Sequence, residues 1–253
     1  MRADQLLVER GLAVSRSQAQ RLIAAGVRWR LPPGDWKAVA KNGDELRETV
    51  ELQLADAAEA RFVSRGGLKL AGALDHAELD VAGLRCLDVG QSTGGFTDAL
   101  LQRGAAAVVG VDVGQGQLHP RLRADGRVVC IEKCNARELS ADLLMQAGGP
   151  KAAPPFDLVV GDLSFISQTL VWPALVTLLG RGGHLLMLVK PQFELQPEHI
   201  GKGGLVRDPA SYTVVRARIT QACADNGLAL LDYFESPITG GDGNREFFVF
   251  AHA

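Results

Sequence analysis

Leu87-Asp88-Val89-Gly90-Gln91-Ser92-Thr93-Gly94-Gly95-Phe96-Thr97-Asp98 runs from an apolar stretch through a loop of small residues into a helix-forming one. The apolar stretch reads as a buried strand that ends in a carboxylate. Glycines at 90, 94 and 95 let the backbone approach a ligand with no side chain in the way. The loop is not a P-loop, because no Gly-Lys-Ser/Thr follows, and it lacks the Gly-x-Gly-x-x-Gly spacing of dinucleotide folds. By itself such a loop is also compatible with a plain strand-to-helix turn. Val111-Asp112-Val113 ends the next strand, and an acidic side chain about twenty residues after the loop suits a ribose diol. Asp88, Gly90, Ser92, Gly94, Gly95, Phe96 and Asp112 are therefore expected cofactor contacts, and Asn135, after the third strand, is expected to reach an adenine. No Lys or Arg lies in the loop to meet phosphates, so the expected cofactor is S-adenosylmethionine rather than a phosphate nucleotide.

Outward from this loop, strands alternate with helices. Strands are expected at 85–89, 108–113, 128–132, 157–161, 184–189, 229–234 and 246–251, with helices at 97–103 and 167–179 among them. Asp208-Pro209 is expected to open a long helix to about residue 224, with Pro in its favoured first position. Alternation of this kind with apolar strands predicts an α/β fold, a mostly parallel, doubly wound, Rossmann-like sheet. The last two strands are joined by Gly240-Gly-Asp-Gly243 rather than by a helix, so they are expected to pair as an antiparallel hairpin. Residues 1–54 read as a separate small α+β domain, 55–62 as a linker, and 63–253 as the large domain. In the small domain Ser15-Arg-Ser-Gln18 has capping-box spacing and predicts a helix that stops at Gly26. Turns are expected at Leu31-Pro-Pro-Gly-Asp35 and Lys41-Asn-Gly-Asp44.

Composition limits the function classes. With 253 residues, 47% of them hydrophobic, the chain can build a large core. A net charge of −2 argues against a surface coated in positive charge. Locally the balance differs: Arg2, Arg10, Arg16, Arg21, Arg28 and Arg30 face only Asp4 and Glu9 among the first thirty residues. Cys86, Cys130, Cys134 and Cys223 form no Cys-x-x-Cys pair and have no nearby His, so no metal is expected. The N-terminus is polar from Arg2, and the apolar run 185–189 is far short of the roughly 20 residues of a membrane helix. A soluble, cytoplasmic protein with no membrane partner is expected.

Gly94-Gly-Phe-Thr-Asp98 together with Val111-Asp-Val-Gly-Gln-Gly-Gln-Leu118 resembles the TlyA family, a branch of the FtsJ-like ribose 2′-O-methyltransferases. The resemblance extends through Ser64-Arg-Gly-Gly-Leu-Lys69-Leu, Asp162-Leu-Ser-Phe-Ile-Ser167, Leu188-Val-Lys190-Pro-Gln-Phe-Glu194, Gly201-Lys-Gly-Gly-Leu-Val-Arg-Asp208 and Gly243-Asn-Arg-Glu246. Arg2-Ala-Asp-Gln-Leu-Leu-Val8 and Ser15-Arg-Ser-Gln-Ala-Gln20 are similar to the S4-like RNA-binding domain. Trp29-Arg-Leu-Pro-Pro-Gly-Asp-Trp36 departs from that domain, which usually continues with a short strand and an Asn-Gly turn.

The resemblance implies a Lys-Asp-Lys-Glu tetrad, carried here by Lys69, Asp162, Lys190 and Glu246. It implies methylation of a ribose 2′-hydroxyl of RNA, most simply ribosomal RNA or a ribosomal subunit. A 2′-hydroxyl is a poor nucleophile at neutral pH and needs a base and alignment. Lys190 follows an apolar strand, Asp162 ends the neighbouring one, and a lysine crowded by a second cation is a feasible base. Without the resemblance Lys69 reads as a solvated helix lysine and Glu246 as an exposed strand-end carboxylate. Arg2, Arg16, Gln20, Arg21, Arg65 and Lys202 are the expected RNA contacts, and 201–207 the expected loop closing over substrate. The rival readings are a haemolysin, the label that relatives of this family often carry, and an inactive RNA-binding protein of the same fold.

Overall fold

The computed structural model describes residues 1–13, 15–54, 61–241 and 243–253. Most of the expected linker, residues 55–60, lies outside the described residues. The chain divides into two compact units, Met1–Arg65 and Gly66–Ala253.

In the first unit, α1 (Ala3–Glu9) and α2 (Arg16–Gly26) bury Leu6, Leu7, Ala19, Leu22 and Ile23 at helical spacing. They pack with Val27, Val39, Leu46 and Val50 into one core. Ser15 caps α2 by accepting from the Gln18 amide at 3.2 Å. The Gln18 side chain also donates to the Phe62 carbonyl at 3.1 Å. Strands β1 (Val27–Arg30), β2 (Lys37–Ala38) and β3 (Glu51–Leu54) form an antiparallel sheet in the order β2-β1-β3. Between β1 and β2 the Gly34 amide donates to the Leu31 carbonyl at 2.7 Å, which closes the turn expected there.

The second unit opens with α3 (Gly66–His76) and then builds a seven-stranded sheet. Its elements are β4 (Arg85–Val89), α4 (Gly95–Gln102), β5 (Ala107–Val111), α5 (Pro120–Arg123), β6 (Val128–Ile131), α6 (Ala141–Gly148), β7 (Phe156–Gly161), α7 (Trp172–Val176), β8 (Leu179–Val189), α8 (Pro191–Glu194), α9 (Ser211–Asp225), β9 (Ala229–Glu235) and β10 (Phe247–His252). The order is β6-β5-β4-β7-β8-β10-β9, parallel from β6 to β8 and antiparallel beyond. Chain order reverses between β4 and β7, and a crevice opens at that switch point beyond the strand ends. The last two strands do pair as expected, but β10 inserts between β8 and β9, and this brings residue 246 beside the end of β8.

Two expectations need correction. Residues 167–179 are not one helix. A 3-10 turn (Gln168–Leu170) leads into the short α7, whose first turn contains Pro173, and β8 already begins at Leu179. The long C-terminal helix starts at Ser211 rather than at Pro209, because Asp208 closes a turn ahead of it by accepting from the Ala210 amide at 2.9 Å.

Candidate active site

The loop after β4 is built from beneath by Asp88. Its carboxylate is fully buried and accepts the Thr97 hydroxyl at 2.6 Å, while Thr97 accepts from the Gln91 amide at 2.9 Å. Burial pushes the Asp88 carboxyl up to about 7. Gly90, with φ +84°, lies so close to β7 that a Cβ there would stand 2.7 Å from the Asp162 carbonyl oxygen. Only glycine meets both conditions.

A cavity of about 440 Å³ opens above this loop. Gly90, Ser92, Asp112 and Asn135 line it, together with Asp162. The other four expected cofactor positions, Asp88, Gly94, Gly95 and Phe96, are not among its lining residues. Asp88, Phe96 and Gly95 are buried, Phe96 stacking on Phe248 at 6.3 Å, and Gly94 sits in a left-handed conformation at the start of α4. Asp112 accepts from the Ser92 amide at 2.7 Å and the Gly114 amide at 2.6 Å, which orients its carboxylate at the cavity edge. Gln117 also lines the cavity and accepts the Ser92 hydroxyl at 3.1 Å. It was not singled out from the sequence, where one more polar residue in a Gly-Gln repeat carries no signal of its own. Neither Lys nor Arg is among the lining residues. An apolar hollow with an oriented carboxylate and no cation fits a nucleoside carrying a positive sulfonium better than a polyphosphate.

Sheet register brings the four tetrad positions together. Gly161 pairs with Met187, so Asp162 and Lys190 leave neighbouring strands at the same end. Phe247 pairs with Val189 across the antiparallel ladder, which sets Glu246 opposite Lys190. Lys190 Nζ lies 2.6 Å from Asp162 Oδ1 and donates to Ser164 Oγ at 2.8 Å. Lys69 reaches down from α3 to form a 2.6 Å ion pair with Glu246 Oε2. Both members are buried, Lys69 to 7% exposure and Glu246 to 3%, where the sequence alone read a solvated lysine and an exposed carboxylate. Burial pushes the Glu246 carboxyl up and the Lys69 ammonium pulls it back, while Asp162 and Lys190 also act on it, so the two pairs form one charged cluster. Ser164 and the 90% exposed Phe165, which lines the cavity beside Asp162, were not assigned roles from the sequence.

The expected RNA contacts behave differently from one another. Arg2, Arg16 and Gln20 converge on the buried Asp4, at 3.0, 3.1 and 3.3 Å. The Arg2 guanidinium holds the Asp4 carboxyl well below the usual range. Arg2 and Arg16 stay about half exposed while so held. Arg21 and Arg65 are half-buried, and Lys202 is exposed. The 201–207 segment is pinned by the buried Asn244, which accepts from the Val206 amide at 3.0 Å and donates to the Gly204 carbonyl at 2.9 Å.

The FtsJ-like methyltransferase family matches residues 62–253, and the S4 domain matches residues 1–26. The 16S/23S rRNA (cytidine-2′-O)-methyltransferase TlyA of Mycobacterium tuberculosis is 45% identical over 252 residues, covering 98% of this chain and 88% of that protein. The chain belongs to the TlyA family of FtsJ-like methyltransferases. Among TlyA relatives, Hemolysin A of Brachyspira hyodysenteriae is 34% identical over 247 residues and 98% of each chain. A solved structure titled a hemolysin, from Streptococcus thermophilus, matches with a TM-score of 0.75 and 38% identity, covering 100% of this chain and 88% of that one. Among the described residues of this TlyA-family chain, no helix is long and apolar enough to cross a membrane.

Proposed function

We propose that this protein transfers the methyl group of S-adenosylmethionine to a ribose 2′-hydroxyl of ribosomal RNA, in the cytoplasm, with residues 1–54 as an RNA-binding domain and 63–253 as the catalytic one. The observation that carries this reading is the cluster of two lysine–carboxylate contacts, Lys190–Asp162 and Lys69–Glu246, of which Asp162 lines the cavity. The name of the Mycobacterium tuberculosis relative supports the same reaction.

Gly90, Ser92, Asp112, Gln117 and Asn135 would hold the cofactor, with Asp112 taking the ribose diol. When bound, S-adenosylmethionine supplies an electrophilic methyl group on a good leaving group. Lys190 is assigned the proton of the hydroxyl. Its Nζ is held between Asp162 and Ser164, and as a free amine it can accept that proton while Asp162 steadies the ammonium that results. Lys69 and Glu246, buried together, orient the ribose and set the local field. Phe165 presents an exposed aromatic face beside Asp162, a surface on which an unstacked base can rest.

The test is transfer of labelled methyl from S-adenosylmethionine to ribosomal subunits and to purified ribosomal RNA, followed by nucleoside analysis. The expected product is 2′-O-methylribose. Lys190→Ala and Lys69→Ala should each lower kcat by about 100-fold or more, the scale of a lost general base. Label on a base instead of a ribose would keep the enzyme and overturn the acceptor. Cofactor binding without transfer to any RNA would favour an inactive RNA-binding protein.

A further inference from the structure

Glu194 ends the segment that Lys190 begins, and the mechanism above does not use it. Its side chain is buried to 2% exposure, and burial pushes its carboxyl above the usual range. A buried carboxylate is a costly way to fill space, since an apolar side chain of the same volume packs without desolvating a charge. Here each oxygen has a specific partner. Oε2 accepts the Ser167 hydroxyl at 2.5 Å, and Oε1 accepts the Gln168 backbone amide at 2.9 Å.

Ser167 and Gln168 close the loop that begins at Asp162. Arg218, on α9, joins the same knot: it donates to the Glu194 carbonyl at 2.8 Å and to Ser167 Oγ at 3.3 Å, and its Nε lies 3.6 Å from Glu194 Oε2. Beyond the last paired residues of β7 and β8, the ladder no longer holds these two segments in register. At the near end they meet through Lys190, Asp162 and Ser164. At the far end they are tied through Glu194.

We propose that Glu194 is a positioning residue, whose carboxylate ties the end of the Asp162 loop to the Lys190 segment and so sets the contact between Lys190 and its partners Asp162 and Ser164. The proposal rests on the methyl-transfer reading above. A bidentate acceptor is what the position needs, because one oxygen must take a backbone amide and the other a hydroxyl. Glutamine keeps the shape and one acceptor but cannot accept the Ser167 hydroxyl with its NH2 group. A shift of the order of 1 Å between Lys190 and Asp162 is enough to cost about 100-fold in rate.

The experiment compares wild type, Glu194→Gln and the milder Ser167→Ala as full-length chains. It reads kcat for methyl transfer, KM for RNA, Kd for S-adenosylhomocysteine, and Tm. The expected result is a kcat lowered about 10- to 100-fold in Glu194→Gln and less in Ser167→Ala. KM and Kd should change less than kcat, because Gly90, Ser92, Asp112 and Asn135, on other elements, still line the cavity where they did. An unchanged kcat in Glu194→Gln overturns the proposal. So does a loss of kcat that tracks a weaker S-adenosylhomocysteine Kd and a lower Tm in both variants, because that pattern belongs to a merely structural residue. Wild type that binds S-adenosylhomocysteine but methylates no RNA sinks the function reading itself; wild type that is active alongside a fully active Glu194→Gln sinks this inference alone.

Discussion

Asp88 and Asp112 both stand at strand ends of the central sheet, and their surroundings separate their work. Asp112 keeps its carboxylate at the cavity edge, oriented by two backbone amides. Asp112→Ala should weaken S-adenosylhomocysteine binding by about 10- to 100-fold, the scale of one or two hydrogen bonds to a charged group, read by calorimetry. Asp88 is enclosed, and its carboxyl is pushed up to about 7 by burial. A raised carboxyl means that the folded state holds its proton more tightly than the unfolded chain does. Its contribution to stability is therefore fully present below about pH 4 and is lost as pH rises towards 7. Asp88→Asn should flatten the dependence of Tm on pH across that window; an unchanged slope would mean that other groups set it. The sequence displayed both aspartates plainly. Burial alone told the cavity-facing one from the loop-building one, and burial depends on what packs above each residue.

At the scale of elements, the active site depends on how closely α3 approaches the connection between β9 and β10. A Cβ at Gly72 would stand 2.7 Å from Pro237 Cγ, a rigid ring that cannot swing aside. Gly72→Ala should therefore push α3 outward and draw Lys69 away from Glu246. Methyl transfer should fall about tenfold or more while S-adenosylhomocysteine binding holds, since α3 lies outside the cofactor cavity. Equal losses of both would mean a general disturbance. In the first unit, Asp4 joins the start of α1 to the Arg16–Gln20 face of α2. Asp4→Asn should destabilise by about 1–2 kcal/mol, read by denaturant unfolding, a modest figure because Arg2 and Arg16 are half exposed and screened. Most elements were legible from apolar runs and turn residues. Residues 167–179 failed because a mainly apolar stretch does not reveal where helix gives way to strand.

For the whole molecule, a net charge of −2 leaves little unspecific attraction for RNA, and the half-exposed Arg2 and Arg16 are the proposed contacts to test first. Arg16→Ala should weaken RNA binding and lower the slope of log K against log salt by about 1, with cofactor affinity unchanged. A slope that stays put would remove Arg16 from the interface. The fold class, the strand order along the chain, the cofactor loop and the family were all present in contiguous stretches, because loop chemistry and hydrophobic period are local properties. Lys190 and Asp162 were expected on neighbouring strand ends, whereas the ion pair of Lys69 with Glu246 and the Glu194 tie had no sign in the sequence. Positions 69, 162, 190–194 and 246 lie on four separate stretches of the chain. They meet because β10 inserts beside β8 and α3 packs down on the connection behind it, and such long-range register has no signature in any single stretch of chain.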